Sequence, residues 1–207
     1  MPVLKGWQLP LFIKMTKKVF GLTGGIGSGK TTVAKLIQKK YADIEIFDCD
    51  QEAKKIAKIS KIKKRLEKIW GNKKEIIFEN QKKKKEVERL IHPEVWVKLD
   101  KLIKKLGEKK IVLVETAILF ETGKNKDMFK NIVTVCGLEE RKRRIKKRNN
   151  WSESEIDLRI KNQSEQNLTR GKADVVIDTE CGLKELKKKT EKLYQYLLKP
   201  TKEKLFL

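Results

Sequence analysis

Apolar residues along this chain follow two rhythms. In the first they form short continuous runs of β-branched and aromatic residues: "KVFGLT" (18–23), "IEIF" (44–47), "KIVLVE" (110–115), "NIVTVC" (131–136) and "DVVID" (174–178). Uninterrupted runs of this length are how strands buried on both faces of a parallel sheet read. In the second rhythm apolar residues recur every three or four positions, which predicts helices with one buried face. Val33, Leu36 and Ile37 do so in "TTVAKLIQKKY"; Ile56, Ile59, Ile62, Leu66 and Ile69 follow, then Trp96, Leu99, Ile103 and Leu106. A closing "LKELKKKTEKLYQYLL" places Leu183, Leu186, Leu193 and Leu197 on one stripe.

Alternation of the two rhythms predicts an α/β fold, a parallel five-stranded sheet flanked by helices. The strand signal is missing from Ile56 to Gly107, so this stretch reads as an all-helical insertion, broken at Gly71 and Pro93. Between the last two strands, "LEERKRRIKKRNNWSESEIDLRIKNQ" reads as two polar helices separated near 149–152. The expected organisation is a core over 18–55, 108–137 and 172–207, a helical domain over 56–107, and a lid over 138–171. Residues 1–17 read as an N-terminal extension, with 1–14 a dispensable segment or a start-site ambiguity because Met15 just precedes the first strand. "MPVLKGWQLPLFIK" lacks the small-residue cleavage signal of a secretory peptide.

With 207 residues the chain has room for one main core. Lys plus Arg number 51 against 28 for Asp plus Glu, a net charge of +23. Such a field attracts nucleic acid, membrane surfaces and small polyphosphates alike. A Lys-Glu-Ile-rich background of the kind found in thermophiles also contributes to the excess. No apolar run approaches the ~18 residues of a membrane span. Cys49, Cys136 and Cys181 form no C-x-x-C pair. That usage fits free thiols in a reducing cytoplasm better than a disulfide framework or a zinc site.

One stretch narrows the choice of anion. In "FGLTGGIGSGKTT", Gly24-x-x-x-x-Gly29-Lys30-Thr31 matches the phosphate-binding P-loop, placed after a strand and at the opening of a helix. Its glycines let backbone N–H groups turn inward as a nest for phosphates. Gly25, Gly27, Ser28, Gly29, Lys30, Thr31 and Thr32 are therefore the expected nucleotide contacts, Lys30 reaching the β- and γ-phosphates and Thr31 placing its hydroxyl on Mg²⁺. The second strand ends in "DCD". Asp48 or Asp50 would take a proton from an attacking hydroxyl or organise Mg²⁺ through water, with an N-cap role for Asp50 as the structural alternative. Seven of the eight residues from Arg141 to Arg148 are basic. Arg141, Arg144 and Arg148 share a helical face that would neutralise a transferring phosphoryl group, the alternative being a solvated basic helix. His92, before Pro93, reads by itself as a cap or packing residue.

Together these motifs resemble the dephospho-CoA kinase family. The resemblance runs from Val19 to about Gly182 through "LTGGIGSGKTT", "DCD", "LIHPEV", "AILFETG", "RRIKKRNN" with "RIKNQ", and "ADVVID". It implies a P-loop kinase with a nucleotide core, a helical acceptor domain and a lid. Such an enzyme would move the γ-phosphoryl of ATP, with Mg²⁺, to the ribose 3′-hydroxyl of dephospho-CoA. It further implies Asp50 as base with Asp48 beside it, Arg144 as lid arginine with Arg148 as partner, and His92 and Pro93 in the acceptor region. The partner would be a small molecule, with neither membrane nor nucleic acid involved. Lys54, Ala117 and Thr179 depart from the residues usual at their positions, and the stretch before "LIHP" is short. Two rivals remain at this level: another small-molecule or nucleotide kinase of the same architecture, and a basic nucleic-acid-binding protein.

Overall fold

A computed structural model describes residues 18–71, 80–106, 110–161 and 170–207. The expected N-terminal extension, Ile77-Phe78 and Asn162-Gln163 of "RIKNQ" lie outside them. The described residues divide into two compact units, a smaller one over 48–106 and a larger one formed by 18–47 and 110–207.

The larger unit carries a six-stranded sheet in the order β2-β3-β1-β4-β5-β6. Its strands are β1 (Val19–Thr23), β2 (Ile44–Asp48), β3 (Ile111–Glu115), β4 (Lys130–Val135), β5 (Val175–Asp178) and β6 (Leu205–Phe206). β1 pairs in parallel with β3 and β4, β4 with β5, and β5 with β6. All five continuous apolar runs are strands, and every residue of β1 and β3 is buried. The sheet has six strands where five were expected. β6 is only two residues long within "KEKLFL", too short to show a period, and exists because Leu205 and Phe206 pair with Val175 and Val176.

Alternation along the strands feeds two cores. Phe20, Leu22, Ile132, Val175 and Ile177 face one side of the sheet. There they pack against Val33 and Ile37 of α1 (Lys30–Lys40) and Leu186, Leu193 and Leu197 of α7 (Leu183–Leu198). Val133, Val135 and Val176 face the other side with Ala173 and Phe120. Within α7 the buried stripe includes Thr190 and Tyr196, whereas Leu183, its first residue, is exposed. Register sets up the site. Leu22 lies opposite Glu115 and Thr23 opposite Val133, so β1, β3 and β4 reach the same level just where the glycine loop begins.

The smaller unit is helical, with α2 (Cys49–Ala57), α3 (Ser60–Trp70) and α4 (Gln81–Lys105). Gly71 ends α3 with a positive φ of 62°, at the break expected there. Pro93 does not break its helix: α4 runs through it for 25 residues. A mid-helix proline removes one backbone hydrogen bond and crowds the preceding turn, a cost of about 3 kcal/mol. Ile91, Val95, Trp96, Leu99 and Ile103 are all buried, and at about 1.5–3 kcal/mol per buried large side chain they outweigh it. Of the spacing expected earlier in the unit, Ile56, Ile62 and Leu66 are buried, but Ile59 sits exposed at the break between α2 and α3.

Candidate active site

The glycine loop connects β1 to α1, and its shape is imposed from behind. Gly27 and Gly29 have φ of 79° and 87°, which side chains rarely adopt. A Cβ on Gly27 would lie 2.8 Å from the Arg141 carbonyl oxygen, and one on Gly29 would lie 3.0 Å from Thr179 Oγ1. The neighbours that exclude side chains here are α5 (Leu138–Arg148) and the residue following β5.

Within the loop, Lys30 Nζ donates to the carbonyl oxygens of Gly24 (2.8 Å) and Gly25 (3.2 Å). Gly25 is buried. The Ser28 hydroxyl turns inward to Thr134 Oγ1 at 2.7 Å, and the Ser28 N–H donates to Gly25 O at 3.1 Å, so the Ser28 side chain holds the loop to β4. Thr31 and Thr32 are exposed on the first turn of α1.

Thr31 Oγ1 donates to Glu115 Oε1 at 2.5 Å. Glu115 is the last residue of β3 and is 6% exposed. With the hydroxyl proton directed at a carboxylate, the lone pairs of Thr31 remain available to a cation. The sequence reading did not assign Glu115. Its only signal was an acid ending an apolar run, and the register with β1 is what brings it to Thr31.

The arginine row on α5 divides into three environments. Arg141 is buried and its Nε donates to the Ile26 carbonyl at 2.9 Å, so it braces the loop from behind; burial lowers its pKa. Arg144 donates from Nε to Glu140 Oε1 (2.7 Å), from Nη1 to Thr179 Oγ1 (2.9 Å) and from Nη2 to Thr179 O (2.7 Å). Arg148 is exposed, with Nε on Asn149 Oδ1 at 2.9 Å. Hydrogen bonds from Arg143 and Arg144 draw the Glu140 carboxyl down to about 2. The second polar helix is α6 (Glu153–Lys161), joined to α5 by Lys142–Asp157 at 2.7 Å. The Arg159 guanidinium lies 4.0 Å from the centroid of Trp151, a cation–π contact that gives this tryptophan a packing role.

In the smaller unit the two acids of "DCD" have different tasks. Asp48, not Asp50, is the N-cap of α2: its Oδ1 accepts from Gln51 N (2.9 Å) and its Oδ2 from Gln51 Nε2 (2.8 Å). Asp50 is the second residue of α2, in its first turn and on helical rather than extended backbone, and is exposed. It is close enough to His92 on α4 to favour the imidazolium, as Glu88 does. Burial has the larger effect, and the His92 pKa is lowered from 6.5, with Lys84 lowering it further. Pro93 is exposed beside it.

The unfolded chain therefore binds a proton at His92 more readily than the folded one, and stability falls as the pH drops through about 6.5 and below. Replacing His92 by Gln should flatten the loss of urea midpoint between pH 7.5 and 5.5. An unchanged slope would remove His92 as its source.

The model of the family described as dephospho-CoA kinase matches residues 18–185. The dephospho-CoA kinase of Fusobacterium nucleatum is 32% identical over 191 residues, covering 86% of this chain and 97% of that protein. A crystal structure from Thermus thermophilus matches with a TM-score of 0.75 and 26% identity over 87% of this chain and 98% of its own. The dephospho-CoA kinase of Campylobacter jejuni matches with a TM-score of 0.63 over 87% and 97% of the two chains, and at 24% identity it supports the fold. A P-loop closed by β3, β4 and α5, together with a family match that spans both units, establishes that the chain belongs to the dephospho-CoA kinase family of ATP-dependent kinases.

Proposed function

We propose that the enzyme transfers the γ-phosphoryl group of ATP to the ribose 3′-hydroxyl of dephospho-CoA, the last step of coenzyme A synthesis. The observation that carries this reading is the family match through residues 18–185, which includes the helical unit as well as the nucleotide core. Phosphoryl transfer needs little covalent help, so the protein contributes position and charge. Lys30 and the N–H groups of the loop hold the β- and γ-phosphates. Asp50 accepts the proton of the 3′-hydroxyl, an assignment favoured by the commitment of both Asp48 oxygens to the α2 cap. Arg144, with Arg148 as the outer member of the row, neutralises charge on the transferring group. His92 and Pro93 belong to the acceptor side, and Asp48 orders the turn that presents Asp50.

Among the described residues there is no group of three or more His, Cys, Asp or Glu able to hold a metal. Mg²⁺ in phosphotransferases needs fewer protein ligands, because phosphates and water complete its shell. The Thr31 hydroxyl, oriented by Glu115, fits that requirement. Held there, Mg²⁺ would supply positive charge to offset that of the phosphates. Loss of an outer-shell partner typically costs 10–100-fold in metal affinity, so Glu115→Gln should raise the Mg²⁺ giving half-maximal rate by about tenfold. A Mg²⁺ titration at saturating ATP checks this, and an unchanged midpoint would exclude the role.

No helix among the described residues is long and apolar enough to cross a membrane. Cys49, Cys136 and Cys181 are free thiols, which supports a cytoplasmic setting. The decisive assay measures ADP release with dephospho-CoA, AMP, shikimate or RNA as the added partner. Turnover with dephospho-CoA alone is the expected result. Turnover only with another acceptor, or none with dephospho-CoA, would overturn the reading.

A further inference from the structure

The loop after β5 holds α5 at two points. Glu180 Oε2 accepts from the N–H of Gly137, the N-cap of α5, at 2.8 Å. One residue earlier, Thr179 is 1% exposed and takes two hydrogen bonds from Arg144, one on Oγ1 and one on its carbonyl oxygen. The Thr179 hydroxyl also lies 2.8 Å from the Ser28 carbonyl and 3.2 Å from that of Val135. One hydroxyl proton serves one acceptor well, so the consistent assignment is a hydroxyl that accepts from Arg144 and donates to Ser28. Arg144 is thereby tied to the backbone of the phosphate loop through a single buried oxygen.

Donor arithmetic shows what this leaves. A guanidinium has five N–H groups. Those of Arg144 to Glu140 and Thr179 account for three. One N–H on each terminal nitrogen remains; since Thr179 takes one from each, the two left point to opposite flanks of the guanidinium, and each can donate to a separate oxygen.

We propose that Thr179 is a positioning residue for phosphoryl transfer: it fixes the Arg144 guanidinium to the phosphate loop and leaves one N–H on each of its terminal nitrogens for the transferring group. The inference rests on the assignment of Arg144 to the transfer step. It has Arg144 held by the residue after β5 as well as carried on α5. Pre-orientation of this kind acts on the transition state, so its loss should appear in kcat rather than in the KM for ATP.

Thr179→Val keeps the methyl group that faces Gly29 and replaces the hydroxyl by a methyl. It should lower kcat by about thirtyfold and change the KM for ATP by less than about threefold, and Thr179→Ser should restore most of the rate. Thr179→Ala, which lacks the hydroxyl without burying a new methyl, should show the same loss and guards against a packing artefact of valine. The discriminating comparison is made in an Arg144→Ala background, itself reduced by about a hundredfold, where Thr179→Val should have almost no further effect, since residues acting as one unit are non-additive. Equal losses in both backgrounds would reduce Thr179 to a structural residue and overturn the inference. Full activity of Arg144→Ala with dephospho-CoA would remove the role of Arg144, and the inference with it. Absence of wild-type activity on dephospho-CoA would instead overturn the proposed function, which the acceptor panel identifies separately.

Discussion

Replacing Asp50 by Asn should lower kcat with dephospho-CoA by about a thousandfold, within the range of about 10²–10⁴ assigned to a positioned general base, and leave the KM for ATP nearly unchanged. Asparagine preserves size and polarity but cannot take a proton from the acceptor hydroxyl. Because Asp50 lies in the helical unit and the P-loop in the larger one, donor binding should survive the substitution. The neighbouring acid is the control. Asp48 carries the cap of α2, so Asp48→Asn, which retains an oxygen for Gln51 N, should affect thermal stability by no more than about 1 kcal/mol. Steady-state kinetics with both substrates varied, alongside thermal melts, separate the two roles. Full activity in Asp50→Asn would remove it as the base, and a larger kinetic loss in Asp48→Asn would exchange the assignments.

The sequence was most legible where a residue's task is local. Glycine at positions of positive φ, a lysine and a hydroxyl at fixed offsets, and continuous apolar runs are constraints within a dozen residues. They identify the loop and the five longer strands without knowledge of what lies opposite. It was least legible where the task depends on a distant partner. Glu115 became a site residue only through the β1–β3 register, and Thr179 only because Ser28, Gly29 and Arg144 converge on it. β6 consists of two residues stabilised by pairing with β5. Pro93 is tolerated within α4 because buried residues on that helix outweigh a broken hydrogen bond, an energy balance that a breaker rule omits.

The division of labour among the basic residues follows from the same distinction. Spacing placed Arg141, Arg144 and Arg148 on one face, yet their surroundings differ in depth. Arg141 is inside and holds the loop, Arg144 is half-buried and held by Thr179, and Arg148 is at the surface. A charge of +23 therefore says less about the site than the depth at which particular cations sit. Exposed pairs such as Lys40–Glu191 are screened by water and add little to the fold or to the site.

Lys30 carries the second large expected effect. Its ammonium group is engaged with the carbonyl oxygens of Gly24 and Gly25, the backbone it must cross to reach a phosphate. Carbonyl dipoles are weaker partners for an ammonium than a phosphate bearing full negative charge. Nucleotide binding should therefore draw Lys30 from the loop carbonyls to the phosphates, and the contact strengthens further as charge shifts during transfer. Lys30→Ala should lower kcat by about 10²–10³, the loss typical of one preorganised donor removed from a transition state. Lys30→Arg should not restore it, because a planar fork cannot replace a compact ammonium within a closed loop. Single-turnover rates with saturating ATP test both variants. A thermal midpoint within a few degrees of wild type would show that the kinetic loss is chemical in origin. A Lys30→Ala enzyme turning over within about threefold of wild type would show that the loop N–H groups and the arginine on α5 hold the phosphates without it.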